Sequence, residues 1–196
     1  MTKLSVRRAV RAVAVTTAVL GAGLVLAGCG GEKSSDAAAP AVPDDWKKLT
    51  GPTVSLAYPA DLTEQSAAER GKLNDAAALR TEDGRATVKV TIQSGFADAT
   101  TGDDAASVGR ALLMASTEVK ATKDAGIEGA DGAKRIDFTY TGTGLPQLPP
   151  KGAEVDGVVI TGVDSQGKIY SVRIDAQQGK LTEADRTKIV DSIQVK

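Results

Sequence analysis

The chain has 196 residues, no histidine and a single cysteine, Cys29, and its 24 basic residues nearly balance 25 acidic ones. Without histidine, a Ser-His-Asp triad, a Cys-His pair and a histidine-ligated metal site are all excluded. A net charge of −1 also argues against nucleic-acid binding, which normally needs a basic excess. We therefore expect no cofactor and no nucleic-acid partner.

The first 28 residues have the pattern of a secretory signal peptide. Four basic residues come first: Lys3, Arg7, Arg8 and Arg11. The uncharged apolar run that follows, Ala12 to Leu26, is shorter than the roughly 20 residues of a membrane-spanning helix. The arginine pair leaves the twin-arginine export route open beside the general secretory route, which we favour.

The apolar run ends in Leu26-Ala27-Gly28-Cys29, which resembles the lipobox of bacterial lipoproteins. That resemblance implies transfer of a diacylglyceryl group to the Cys29 thiol and cleavage just before this residue. Two acyl chains give a stable anchor where one does not. We therefore expect a lipid-anchored protein at the extracytoplasmic face of the cell membrane, with the membrane as its first partner.

The mature chain divides into a tether and a domain. Residues 29–43 are small and polar, contain two prolines and show no apolar periodicity, which is typical of a flexible linker. Residues 44–196 are long enough to bury a stable core as a single domain. Loss of four basic residues with the signal peptide leaves 20 against 25 acidic residues, so the mature protein is acidic.

The first half of the domain reads as strands. Val54, Leu56 and Tyr58 alternate with smaller or polar residues, which predicts a strand with one buried face. Residues 73–80 predict a second strand and residues 87–93 a third. The turn residues 82–85, Glu-Asp-Gly-Arg, join these two strands as a hairpin.

From Asp104 the period becomes helical, and the pattern predicts a helix that ends near Thr122. Either Thr101 or Asp103 can cap it. Alternating strands follow at residues 134–140, 155–163 and 169–176, and a second helix begins at Thr182. We also expect a short extra strand near Ile127. The order β-β-β-α-β-β-β-α with hairpin turns predicts an α+β domain with a mostly antiparallel sheet and two main helices packed on it.

This pattern resembles a known fold family. The strand Val-Ser-Leu-Ala-Tyr-Pro-Ala-Asp (54–61), the single long helix, the three-strand meander and the closing Ile-Val-Asp-Ser-Ile-Gln-Val (189–195) are similar to the Mog1/PsbP-like layered sandwich. Within it they resemble the actinobacterial lipoproteins of the LpqN/LpqT type. The resemblance implies a binding or scaffold role, and it brings no catalytic residues with it.

Three features of the sequence are candidate sites. The loop 142–152 holds two leucines between prolines, so we take Leu145, Gln147 and Leu148 as candidate contacts for a partner. Trp46, the only tryptophan, is expected to pack at the start of the domain. The acidic residues Asp98, Asp103 and Asp104 suit calcium chemically, but they miss the EF-hand spacing and equally explain a helix start, so we predict no metal site.

We therefore expect a lipid-anchored binding or interaction module without catalysis, with an envelope protein or a lipid as its partner. The alternative is a lipid or glycolipid carrier of the LprG/LppX type with an apolar cavity. Few aromatic residues and short strands favour a filled core over such a cavity. An enzyme is the third hypothesis, but no serine, lysine or carboxylate lies in a motif that singles it out.

Overall fold

The computed structural model describes residues 42–145 and 148–196, so the predictions for the signal peptide, for Cys29 and for most of the tether lie outside it. This part of the chain forms ten strands and two helices. They are β1 (Lys47–Thr50), β2 (Val54–Tyr58), β3 (Thr63–Glu64), β4 (Ala76–Glu82), β5 (Arg85–Ser94), α1 (Gly102–Ala111), β6 (Glu118–Asp124), β7 (Asp131–Thr141), β8 (Glu154–Val163), β9 (Ile169–Gln177), α2 (Glu183–Asp191) and β10 (Gln194–Val195).

Seven strands form one large antiparallel sheet in the order β3-β4-β5-β9-β8-β7-β6. The predicted hairpin between β4 and β5 is confirmed. Its turn places Asp83 and Gly84 at φ of 50° and 73°, the left-handed pair that a tight two-residue turn requires. The turn between β8 and β9 is also confirmed, and the Asp164 carboxylate accepts hydrogen bonds from the backbone amides of Gln166 and Lys168.

One face of the large sheet carries the main core. A smaller antiparallel sheet, β1-β2-β10, and helix α2 pack over this face. The strand predicted at β2 is confirmed, and Val54, Leu56 and Tyr58 are buried as expected, although Ser55 between them is buried too. Apolar residues of β5, β8 and β9 meet them from the large sheet. This layer is filled with aliphatic side chains, as the composition predicts.

Helix α1 packs on the opposite face of the large sheet, mainly against β7 and β8. Its start is fixed by a capping box in which the Thr101 side chain accepts from the Asp104 amide and the Asp104 carboxylate accepts from the Thr101 amide. Gly109 allows a close approach, since a Cβ there would lie 3.3 Å from side-chain atoms of Ile136 and Thr161. Of the two predicted caps, Thr101 is therefore correct.

The predicted extent of this helix is wrong. Helix α1 ends at Ala111, and residues 118–124 form β6 instead of its last turns. The β-branched Val119 and Thr122 suit a strand, and β6 pairs with β7 along the edge of the sheet. Pairing with β6 satisfies the backbone hydrogen-bonding groups on one edge of β7. The helical spacing of a few apolar residues gives no sign of this pairing. Leu112, which directly follows the helix, is exposed.

Three short strands were not predicted, namely β1, β3 and β10. Each has too few buried side chains to show an alternation; in β1 only Leu49 is buried. The extra strand expected near Ile127 is reduced to an isolated bridge between Glu128 and Gln194, although Ile127 itself is buried. The fold class is confirmed: the described chain is an α+β sandwich with a mostly antiparallel sheet and two helices.

Candidate functional site

The face of the large sheet beneath α1 is only partly covered, because α1 lies mainly over β7 and β8 and leaves β5 open. The register of β5 and β9 sets Lys89 opposite Asp175 and Thr91 opposite Arg173. Their neighbours along each strand, such as Val90, belong to the main core on the other face. Side-chain alternation therefore collects polar groups on the open face. This polar row consists of Lys89, Thr91, Gln93, Ser171, Arg173 and Asp175.

Arg173 and Asp175 form a two-pronged ion pair within this row. The Arg173 Nε lies 2.8 Å from Asp175 Oδ2, and Arg173 donates from its Nη2 to Oδ1 at 3.0 Å. Burial acts to lower the pKa of Arg173, but the adjacent Asp175 carboxylate more than offsets it, so the pKa is raised. The guanidinium is therefore held charged and fixed in orientation.

A glycine on the neighbouring strand supports this arginine. A Cβ on Gly157 would lie 2.1 Å from the Cζ atom of the Phe138 ring, so only glycine lets the ring lie across β8. The ring then reaches the guanidinium of Arg173, whose Cζ lies 5.0 Å from the ring centroid. Tyr140 follows Phe138 on the same face, and burial, then the charge of Asp175, raises the pKa of its phenol.

Lys89 differs from Arg173 because it has no carboxylate partner among the described residues. Burial lowers the pKa of Lys89, an effect that Asp175 opposes and Arg173 reinforces. Asp175 directs both oxygens to Arg173. The ammonium group of Lys89 is thus a partly buried charge that forms no ion pair with a carboxylate of residues 42–145 or 148–196.

Apolar side chains surround the polar row and complete a cleft of about 490 Å³. This volume lies within the roughly 300–1,000 Å³ of pockets that enclose small ligands. The apolar walls are Leu73, Phe96, Leu112, Leu113, Met114, Leu148, Pro149 and Val159. Two of them, Leu73 and Leu112, are 72% and 51% exposed, so the apolar lining of the cleft continues to the surface.

The loop expected to bind a partner lies at one end of this cleft. Leu148 and Pro149 line the cleft, whereas Leu145 is 59% exposed and Gln147 lies outside the described residues. The loop is held to the sheet by Arg85, whose guanidinium donates to the Leu145 carbonyl at 3.1 Å. Of the three contacts predicted from sequence, Leu148 therefore lies at the cleft. The role predicted for the loop in partner binding stays a prediction.

The other predicted features lie elsewhere. Trp46 is partly buried against the main core on the far face of the sheet, with the Lys188 Nζ 5.8 Å from its ring centroid. The Asp104 carboxylate completes the capping box of α1, and hydrogen bonds from Thr100 and Thr101 lower its pKa. Asp103 lies 2.9 Å from Lys134 Nζ. Among residues 42–145 and 148–196, no group of three acidic residues is arranged to hold a metal ion.

The sequence pattern did not identify the residues of the cleft floor as functional candidates. Lys89, Arg173 and Asp175 sit at the polar positions of alternating strands, and such positions normally face solvent. No local sequence pattern predicts that α1 and two loops pack beside this part of the sheet. The sole hint is Arg173 with Asp175 two residues later, since residues at i and i+2 share a face.

Neither helix in the described part of the chain has the length and hydrophobicity that crossing a membrane requires. No protein-family model and no curated protein sequence matches the chain. Solved structures do. The solution structure of CyanoP, the cyanobacterial PsbP of Synechocystis sp. PCC 6803, matches with a TM-score of 0.53 at 9% identity, over 77% of this chain and 92% of that one.

Two further structures are similar at lower scores. A Bacteroides thetaiotaomicron protein has a TM-score of 0.47 at 12% identity over 76% of this chain; the match covers 48% of that protein, about half its length. The Ran-binding protein Mog1p of Saccharomyces cerevisiae has a TM-score of 0.44 at 10% identity, over 76% of this chain and 96% of its own. Identities this low show the fold alone. On the likeness to CyanoP, the chain has the PsbP-like fold expected from its sequence.

Proposed function

We propose that this protein is a lipid-anchored binding module of the bacterial cell envelope that holds a small amphiphilic ligand in the cleft and performs no catalysis. The lipobox-like Leu26-Ala27-Gly28-Cys29 supports the anchor, and the signal-peptide pattern supports an extracytoplasmic location. The family resemblance of the sequence points to an actinobacterial lipoprotein of the LpqN/LpqT type. The acidic balance of the mature chain gives no reason to propose a nucleic-acid partner.

The observation that carries the proposal is the cleft itself. The main core on the other face of the sheet is a continuous cluster of buried side chains, and the cleft beneath α1 lies outside it. Its walls are apolar, its floor is polar, and two exposed leucines stand at its rim. Ligand sites in proteins share this combination of apolar lining and a few convergent polar groups. Of the two binding roles weighed from the sequence, the cleft favours a small ligand over a flat contact with a protein.

The absence of catalysis is proposed from the chemistry of the floor. Without histidine, the candidate nucleophiles there are the amine of Lys89 and hydroxyls such as Ser171, and no hydrogen bond among the described residues joins these two side chains. A serine needs an adjacent base to become nucleophilic. The acid at hand, Asp175, directs both oxygens to Arg173, which leaves it poorly placed to accept a proton.

The anchor is tested by Cys29→Ala in the full chain, expressed in a bacterium that lipidates exported proteins, with Ser35→Ala as the control. We expect the Cys29→Ala chain to remain an uncleaved precursor without lipid, and the control to partition into detergent as the wild type does. Intact-mass measurement of the membrane fraction gives the answer. A Cys29→Ala chain that is cleaved and held at the membrane like the wild type contradicts the lipobox interpretation.

The cleft is tested with a fragment that contains the described fold. Every strand, helix and apolar cluster of the described chain lies within residues 46–195, so residues 42–196 carry the whole of this core. We expect saturable binding of the neutral dye Nile red. Gln93→Trp fills the cleft and should weaken binding about tenfold, whereas Thr122→Trp on exposed β6 should not. Equal binding by both variants, or none by the wild type, refutes the cleft as a ligand site.

A further inference from the structure

We propose that the ligand of the cleft is a single-chain amphiphile with an anionic head, a carboxylate or phosphate that lies against Lys89 while its alkyl chain lies between Leu73 and the segment 112–114. This inference rests on the proposed function and names the class of ligand for the same site. Both head groups are anions whose oxygens accept hydrogen bonds. A carboxylate would come from a free fatty acid and a phosphate from a phosphorylated lipid.

Positive charge predominates among the residues that line the cleft. Four charged residues line the cleft, and three of them are cationic: Lys72, Lys89 and Arg173. Asp175 is the only acid, and it is engaged with Arg173. The lining residues from α1 and from the segment after it are all uncharged. The described lining therefore has a net positive charge in a chain whose net charge is −1, and a cleft with apolar walls focuses that potential.

The second step is the state of Lys89. A cation removed from water without a partner destabilises the protein, and burial is the main cause of its lowered pKa. Methionine or leucine at this position would pack without that cost. A ligand anion would supply the missing partner, and the hydroxyls of Thr91 and Ser171 lie on the same floor to donate hydrogen bonds to its oxygens.

The third step is the shape of the cleft. The apolar walls rise from the loop before β4, from the end of α1 and from the loop before β8, so they flank the polar floor. An anion without a chain would leave Leu73 and Leu112 exposed to water. The volume of about 490 Å³ is sufficient for one alkyl chain of moderate length.

The experiment is calorimetric titration of residues 42–196 with four probes below their micellar concentrations: decanoate, decyl phosphate, the uncharged decyl glucoside and the cationic decyltrimethylammonium. We expect the anionic probes to bind at least about tenfold more tightly than decyl glucoside, the change expected for one charge-assisted hydrogen bond. The cation should bind most weakly. The ratio of decanoate to decyl phosphate affinity then distinguishes the two sources.

Two variants test whether Lys89 is the charge that binds the anionic head group. Lys89→Met should weaken decanoate binding about tenfold relative to any change in decyl glucoside binding, and the variant should fold, because it removes a charge without a carboxylate partner among the described residues. Lys120→Met, the same change on exposed β6, should alter neither. If Lys89→Met binds decanoate as the wild type does, or if the four probes bind alike, the anionic class is refuted while the cleft remains a ligand site. If no decyl probe binds, the proposed function fails as well.

Discussion

The ion pair between Arg173 and Asp175 gives the strongest quantitative prediction. Three contacts of 2.8–3.1 Å join the two side chains, of which Asp175 is 11% and Arg173 25% exposed. Breaking a buried pair by removing one partner costs about 3–5 kcal/mol. Asparagine in Asp175→Asn keeps one oxygen that can accept from Arg173, so we expect the lower end, about 3 kcal/mol.

The assay is urea unfolding of residues 42–196, followed by far-ultraviolet circular dichroism and by the fluorescence of Trp46, which lies in the core on the other face. Glu118→Gln is the control, because its exposed pair with Lys120 should contribute at most about 1 kcal/mol. The double variant Arg173→Met/Asp175→Leu should recover most of the stability, since neither member of the pair is left as an unpaired charge. A loss in Asp175→Asn below about 0.5 kcal/mol, or a double variant as unstable as the single, refutes the reasoning.

Three further predictions concern the packing around the cleft and the helix start. Gly157→Ala should cost about 1–3 kcal/mol of unfolding free energy, because its Cβ would overlap the Phe138 ring, whereas Gly126→Ala has open space around it and should be neutral; equal denaturation midpoints would contradict this. Tyr170→Phe should leave stability at pH 7 unchanged or higher, because the buried Tyr170 hydroxyl has no hydrogen-bond partner within the part of the chain that the structure describes. Burial, and after it the charge of Asp164, raises the pKa of Tyr170, so the contribution of this phenol to stability is complete below pH 10.0 and is lost as the pH rises further. Above pH 10.0 the Tyr170→Phe variant should therefore lose stability less steeply than the wild type. Identical slopes of stability against pH would contradict the raised pKa. Thr101→Ala removes the side-chain acceptor of the α1 capping box and should cost about 1 kcal/mol by thermal unfolding, against no change for the exposed Ser116→Ala.

How much the sequence revealed depended on whether a pattern was local. The alternation in Val54, Leu56 and Tyr58 identified a strand because period two has one structural meaning when one face is buried. The hairpin at Asp83-Gly84 was equally local, since both residues tolerate positive φ. The capping positions Thr101 and Thr182 were found for the same reason: a side-chain acceptor and the amide three residues later define a helix start.

The end of α1 shows where local patterns stop being sufficient. Residues 108–119 carry apolar groups at helical spacing, yet the chain leaves the helix after Ala111 and β6 pairs with β7. That choice depends on a strand more than ten residues away in the sequence, so propensity within the segment cannot decide it. The lipobox-like Leu26-Ala27-Gly28-Cys29 is the opposite case, because processing enzymes read it as sequence.

The sequence by itself therefore determined the fold class, the turns and caps, the expectation of an anchor at Cys29 and the exclusion of histidine chemistry. Only the tertiary structure decided where ligand chemistry is located. Lys89 and Arg173 are ordinary polar positions of two strands until the sheet pairs these strands and α1 leaves their face partly covered. Charge alternation along a strand is local, but desolvation of a charge depends on what is packed above it, and that is set by contacts between distant parts of the chain.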